Sequence, residues 1–336
     1  MNILLSSVGR RPYLVRWFRE ALAANGQSGS IIAADLDPTA PAQAVADDFV
    51  LAPRVGDPGY RNWLGELLAE RQIGLAVSIN DFELSEWAQL PRTQEWEALV
   101  RLTPQTQGLV EDKFAMGEVL NRFDVTNPRT WLGGDKSHSG GRYARYVTKG
   151  RFGSASRGLR FTDALGLEAA VSAAAREVTT RQGQPALEQM EIPPEDLVIV
   201  QEQIVGEEYG LDVVCDLEGT FAGVLARRKI AMRSGETDRA ESVEGQMFEQ
   251  LARRVAQAVP HPGTIDVDVI INKAGVPFVI DINPRFGGGY PFSHLAGARI
   301  PNAYIAWAAG LPVAEEWLAA DAGVIGGKFV EAGRIS

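Results

Sequence analysis

The chain has 336 residues, 45% of them hydrophobic and 23% charged, with a net charge of −10. That length exceeds what one compact core holds, so two or three lobes are expected, and the acidity argues against a general nucleic-acid binder. One cysteine, Cys215, excludes a disulfide framework, and three scattered histidines form no zinc pattern.

The N-terminal stretch MNILLSSVGRRPYLV lacks the apolar run of a signal peptide, and no window approaches the roughly 20 apolar residues of a membrane span. The expected compartment is the cytoplasm, with no membrane partner. Residues 1 to about 103 then alternate strand and helix: strands at 3–7, 30–35, 48–52 and 75–80, with helices such as 12–24 and 60–70 between them. This order predicts a parallel sheet with helices on both faces and ligands at the carboxyl ends of its strands. Arg10, Arg11, Asn80, Asp81 and Glu83 stand at those ends. The first turn holds only Gly9 of the three glycines a dinucleotide site needs, which speaks against a dehydrogenase.

A helix is expected over 106–123, around Lys113. Beyond the Gly/Ser-rich link at 133–141, a strand at 145–149 ends in Lys149 and enters the glycine-rich loop TKGRFGSASRG, residues 148–158. Small residues there let backbone N–H groups wrap phosphate oxygens, and Lys149 adds a point charge. From Lys136 to Thr162 the chain carries seven basic residues and no acid, which also suits an anion site. A helix follows over 162–182, then strands at 197–203, 209–216 and 221–232, and a helix at 243–258.

Segments 264–272 and 276–283 read as a hairpin around Lys273-Ala274-Gly275. Alternation puts Asp281, Asn283 and Arg285 on one face, with Phe278, Ile280 and Ile282 on the other. Asp266 and Asp268 line the same polar face of the partner strand. Clustered carboxylates need a compensating charge, and magnesium takes oxygen ligands of this kind together with phosphate. Gly287-Gly288-Gly289 follows at once, suited to close approach of a ligand. A closing helix is expected over 292–309. His294 and Cys215 read as packed residues.

Taken together, Asp281-Ile282-Asn283-Pro284-Arg285, Lys113, Lys149 and the segment VQEQIVGEEYGLDVV resemble the ATP-grasp superfamily. The resemblance is to stand-alone proteins similar to half of a carbamoyl-phosphate synthase large subunit. It implies an α/β fold, α+β in the C-terminal part: a Rossmann-like pre-ATP-grasp domain over 1–105, then a two-lobed ATP-grasp domain over 106–336. The small nucleotide lobe would span about 127–203 and the metal and substrate lobe about 204–336. The resemblance also implies a site. Lys113, Lys149, Gly153, Ser154, Ser156 and Gly158 would hold the phosphates. Glu202, Gln203 and Ile204 would line the adenine, and Glu208 the ribose. Asp268, Asp281 and Asn283 would hold magnesium, or manganese in its place. Arg285 and Arg233 would approach the reacting phosphoryl group, with Arg228 and Lys229 as further candidates. Arg10, Asn80, Asp81, Glu83 and Gly288 would border the substrate. The implied cofactors are ATP and Mg2+, and the implied partners are a small-molecule carboxylate and amine, in a homodimer by superfamily habit. The implied activity is ATP-dependent carboxylate–amine ligation through an acyl phosphate. A small-acid kinase and a non-catalytic nucleotide-binding protein are the alternatives. Asp281 stands where relatives carry Glu, and Gly150 where they often carry Pro.

Overall fold

The computed structural model describes residues 1–135, 137, 143–153, 158–179, 191–233 and 235–335. Three sheets organise them. The first is parallel, in the order β3 (Asp48–Leu51), β2 (Ile31–Asp35), β1 (Asn2–Ser6), β4 (Ile73–Ser78). Helices α1 (Pro12–Ala24), α2 (Tyr60–Glu70) and α3 (Asp81–Gln89) flank it. Proline at the first turn starts α1, and Leu14, Val15, Phe18, Ala21 and Leu22 form one buried stripe at helical spacing.

The expected helix around Lys113 is two helices, α4 (Pro104–Glu111) and α5 (Lys113–Arg122). Asp112 separates them. Its extended backbone cannot continue a helix, and its carboxylate accepts from the Phe114 and Ala115 amides, capping α5. The second sheet is antiparallel, in the order β5 (Thr130–Leu132), β8 (Val198–Glu202), β6 (Tyr146–Gly150), β7 (Arg160–Thr162). Helix α6 (Leu167–Thr179) covers it, starting later than the sequence suggested because 160–162 pair as a strand. Residues 180–182 of the expected helix, and 136 and 138–142 of the Gly/Ser-rich link, lie outside the described residues.

The third sheet runs β13 (Pro277–Asn283), β12 (Thr264–Asn272), β9 (Gly206–Cys215), β10 (Phe221–Arg233), β11 (Glu236–Val243), β14 (Ile325–Gly327). Residues 236–243 form a strand against β10, and the helix expected from 243 starts only at Glu249. One face of this sheet is apolar: Leu211, Val213, Val267, Val269, Val279 and Ile282 join one core with helix α7 (Glu249–Ala258) and α5. The opposite face carries Asp212, Asp266, Asp268, Arg227, Lys229 and Asp281. Cross-strand register places Asp212 beside Asp266 and Asp268 beside Asp281.

A β-bulge alters the expected alternation in β13. Asp268 pairs with Asp281 while Val269 pairs with Val279, so Ile280 is the extra residue. Val279 therefore turns into the core in place of the expected Ile280, and Ile280 faces the cleft between the second and third sheets.

The expected closing helix is also two, α8 (Tyr290–Leu295) and α9 (Ile300–Ala308), broken where Gly297 takes a φ of +107°. Phe286, Tyr290, Tyr304 and Ile305 join the core of the first sheet with Phe18 of α1, which fixes the N-terminal domain against the hairpin. No helix among the described residues is long and apolar enough to cross a membrane.

Candidate active site

A cavity of about 270 Å3 lies between the second and third sheets. Val147 and Phe161 line one side and Ile270, Ile280 and Met232 the other, giving an apolar slot. Charge gathers at one end. Lys113, at the start of α5, places its Nζ 2.8 Å from Asp281 Oδ1. Lys229, on β10, reaches Asp268 Oδ1 at 2.7 Å and Glu208 Oε1 at 2.8 Å. Lys149, at the end of β6, donates to the Ile280 carbonyl at 2.8 Å. That carbonyl is turned into the cleft by the bulge, so the same irregularity that displaces Ile280 gives Lys149 its acceptor.

Three ammonium groups from three elements thus gather here, Lys113 and Lys229 on two neighbouring carboxylates and Lys149 on the Ile280 carbonyl. Burial lowers the Lys149 pKa to about 8, with Asp281 opposing the shift and Lys113 adding to it. Burial raises the Asp268 carboxyl to about 6, against the pull of Lys229. Burial would raise Asp281 too, but Lys113 and Lys149 outweigh it and hold that carboxyl below its usual value. Asn283 Nδ2 donates to Asp281 Oδ2 at 3.4 Å, and its Oδ1 lies 3.5 Å from Arg285 Nη2. Two cross-strand carboxylates and an amide oxygen make a donor set suited to magnesium together with phosphate oxygens. Each carboxylate already carries an ammonium, which is the kind of compensation a cation provides.

Glu202, Gln203, Ile204 and Glu208 all line the cavity, where β8 gives way to β9. The Gln203 N–H is taken by the Arg145 carbonyl at 3.1 Å, and the Glu202 carboxylate by the Arg129 N–H at 2.9 Å. The Ile204 N–H makes no hydrogen bond among the described residues. Gly153 also lines the cavity. Gly158 is bound instead to Glu177, whose Oε1 accepts its N–H at 3.1 Å. Ser154 and Ser156 lie outside the described residues.

Other expected residues are placed differently. The Arg233 side chain is 64% exposed, pairs with Asp238, and does not line the cavity. A register shift between Lys229 and Ala231 resets the alternation along β10. Lys229 is left pointing inward, 5% exposed, while Arg228 pairs with Glu241 on the surface. Arg10 is exposed, and its neighbour Arg11 faces the hairpin instead, donating to the Phe286 carbonyl at 2.9 Å.

Asn80 caps α3 through the Phe82 and Glu83 amides. Asp81 holds Arg285 through two oxygens, at 2.7 and 3.3 Å, and so ties the N-terminal domain to the hairpin.

Glu83 turns away from the cleft. It is 1% exposed and accepts from the hydroxyls of Ser6, Ser7, Ser78 and Tyr60 at 2.5–2.9 Å. Glu83→Gln should therefore cost stability, about 1–3 kcal/mol in urea unfolding, because a buried carboxylate holding four donors becomes an amide that brings donors of its own. Weaker ligand binding at unchanged stability would contradict that placement.

The glycine run serves packing as well as access. A Cβ on Gly287 would sit 2.1 Å from the Asp266 carboxyl carbon, and one on Gly289 would sit 2.1 Å from Arg227 Nε. The turn therefore closes over a buried cluster that the sequence did not single out. In it Arg227, 1% exposed, bridges Asp212 and Asp266 at 2.6 Å each, and Ser293 donates to Asp212 at 2.6 Å. His294 is stacked on Trp17 with ring centroids 3.8 Å apart, a packing position. Cys215 is buried.

Two family models match segments of the chain. Residues 3–98 match the family model described as PylC-like, N-terminal domain. Residues 194–324 match the model described as ATP-grasp in the biosynthetic pathway with Ter operon. No curated protein matches the chain. Among solved structures, the biotin carboxylase domain dimer of Hydrogenobacter thermophilus 2-oxoglutarate carboxylase, in complex with MgADP and bicarbonate, superposes with a TM-score of 0.71. It has 18% identity over 93% of this chain and 70% of its own. N5-carboxyaminoimidazole synthetase from Staphylococcus aureus gives 0.66 at 14% identity over 94% and 78%. An L-amino acid ligase from Bacillus licheniformis gives 0.62 at 15% identity over 90% and 72%. Identities this low speak for the fold alone, and it is the fold the sequence motifs implied. The chain has the ATP-grasp architecture, its residues 3–98 matching a PylC-like N-terminal domain and its residues 194–324 an ATP-grasp family.

Proposed function

We propose that the chain is an ATP-dependent carboxylate–amine ligase that forms an amide through an acyl phosphate and releases ADP and phosphate. The observation that carries this reading is the gathering of Lys113 on Asp281, Lys229 on Asp268 and Lys149 on the neighbouring Ile280 carbonyl at the end of an apolar slot. An apolar slot suits a planar base, and a cluster of ammonium groups suits a triphosphate. The names of the structural neighbours, two ligating or carboxylating enzymes and one MgADP complex, point the same way.

The chemistry asks the protein for position and charge rather than a nucleophile. An oxygen of the substrate carboxylate attacks the γ-phosphorus. The bond from that phosphorus to the β–γ bridging oxygen breaks, and ADP leaves. The amine then attacks the acyl carbon, phosphate leaves, and the amine loses a proton. Lys113 and Lys149 would neutralise the phosphate tail, and Lys229 would do so from the opposite sheet. Glu208 would accept from the ribose hydroxyls, and the Ile204 N–H would donate to the base edge. Asp268, Asp281 and Asn283 would hold magnesium, which when bound spreads the charge developing on the transferred phosphoryl group. Arg285, fixed by Asp81, would sit beside the anion.

The test is incubation with ATP and magnesium across a panel of carboxylates and amines, with ADP release and product mass both read. One amide should form for each ADP and phosphate. Lys149→Met should weaken binding of an ATP analogue about 10–100-fold, the loss of a charge-assisted contact. An acyl phosphate released without amide would identify a kinase instead, and AMP with pyrophosphate would overturn the reading.

A further inference from the structure

Beside the nucleotide cavity lies a second one, of about 230 Å3, sharing Met232, Gly235, Asp268 and Asp281 with it. Its wall comes from both domains: Arg11 ahead of α1, Glu236 at the start of β11, and Arg285 and Gly288 after β13. Arg11 Nη2 lies 3.6 Å from Glu236 Oε1, too far for a hydrogen bond. The other Glu236 oxygen receives Lys328 Nζ at 2.9 Å, from the segment just past β14. Burial alone would raise the Glu236 carboxyl, but Lys328, Arg11 and Arg285 hold it below its ordinary value, so it is an anion at neutral pH.

The cavity therefore presents a carboxylate and a guanidinium side by side. An α-amino acid carries an ammonium and a carboxylate on one carbon, the pair complementary in charge. A bare carboxylate or bicarbonate would leave Glu236 facing another anion. Lys328 already shows what Glu236 accepts, a primary ammonium.

We propose that this second cavity takes a free α-amino acid, its ammonium on Glu236 in place of Lys328 and its carboxylate on Arg11 beside Arg285. The proposal rests on the ligase reading above and names a substrate class for it. It also moves ammonium recognition from Asn80, Asp81 and Glu83, which are occupied in capping, pairing and burial, to Glu236.

Isothermal titration calorimetry with the twenty protein amino acids tests it, alongside their N-acetyl and des-amino counterparts. Each is titrated in buffer alone and with magnesium and a non-hydrolysable ATP analogue. At least one free amino acid should bind, and blocking or deleting its amine should weaken binding at least tenfold. Glu236→Gln should weaken binding to a similar degree, Glu236→Asp should restore part of it, and Lys328→Ala should tighten it by removing the resident ammonium. The proposal is overturned when no free amino acid binds in either condition, or when an N-acetyl or des-amino counterpart binds as tightly. The analogue is also titrated by itself. Its binding without any amino acid binding ends this proposal and leaves the nucleotide reading standing; the converse result does the reverse.

Discussion

Asp281→Asn lowers ADP release by about a thousandfold, the scale seen when one preorganised charged group is lost from a transfer site. Asp281 stands opposite Asp268 in the hairpin register and 2.8 Å from Lys113, and it also steadies the charge on Lys149. An amide of the same shape keeps the packing but gives up the charge. The site then has one carboxylate for magnesium, and Lys113 has no counterion at that position. Raising the magnesium concentration should recover little of the loss. The fold should persist, because the side chain is 26% exposed and the strand ladder around it is unchanged; circular dichroism and a urea midpoint close to the parent check that. Turnover within threefold of the parent would refute the metal assignment.

The second large effect is on stability. Asp212→Asn should cost roughly 3–5 kcal/mol, because it removes one partner of a buried ion pair and leaves the other charge in place. Arg227 and Asp212 are each about 1% exposed, and Asp212 Oδ2 takes both Arg227 and Ser293 at 2.6 Å. With the acid gone, Arg227 keeps its contact with Asp266 and the more distant charge of Asp268, beneath a glycine turn with no room for adjustment. The cost is read as a lower urea midpoint at unchanged slope. Replacing the whole cluster, Arg227→Met with Asp212→Leu and Asp266→Asn, should cost much less than the single change, since no member keeps a charge without its partner. A single change that costs under about 1 kcal/mol would show that water or another group compensates Arg227.

The distribution of these residues explains how much of the site the sequence disclosed. Asp281, Asn283 and Arg285 were legible because a strand has a period of two and a run of polar residues on one face of an apolar strand is conspicuous. Lys149 and Lys113 were legible at the ends of periodic segments. Ile280 and Arg233 lie elsewhere than expected, because a bulge changes the phase of alternation and leaves no mark in residue type. Lys229, ahead of the shift in β10, keeps the phase of Arg227 and points inward, while Arg233, beyond it, is on the surface. The burial of Arg227 depends on Asp212 and Asp266 arriving from two other strands. Glu83 illustrates the reverse: an acid at a strand's carboxyl end resembles a ligand residue until Ser6, Ser78 and Tyr60 close around it.

The break between α4 and α5 has a mechanical consequence. Asp112 grips Arg151 of the second sheet through two contacts at 2.6–2.8 Å, and the Lys113 N–H donates to the Arg151 carbonyl at 3.1 Å. The very next side chain, Lys113, reaches the third sheet at Asp281. Two consecutive residues thus act as a joint one peptide wide between the sheets that form the cleft. Any tilt of the smaller sheet is delivered directly to the ammonium at the mouth of the slot, so opening the cleft and disengaging that charge are a single movement.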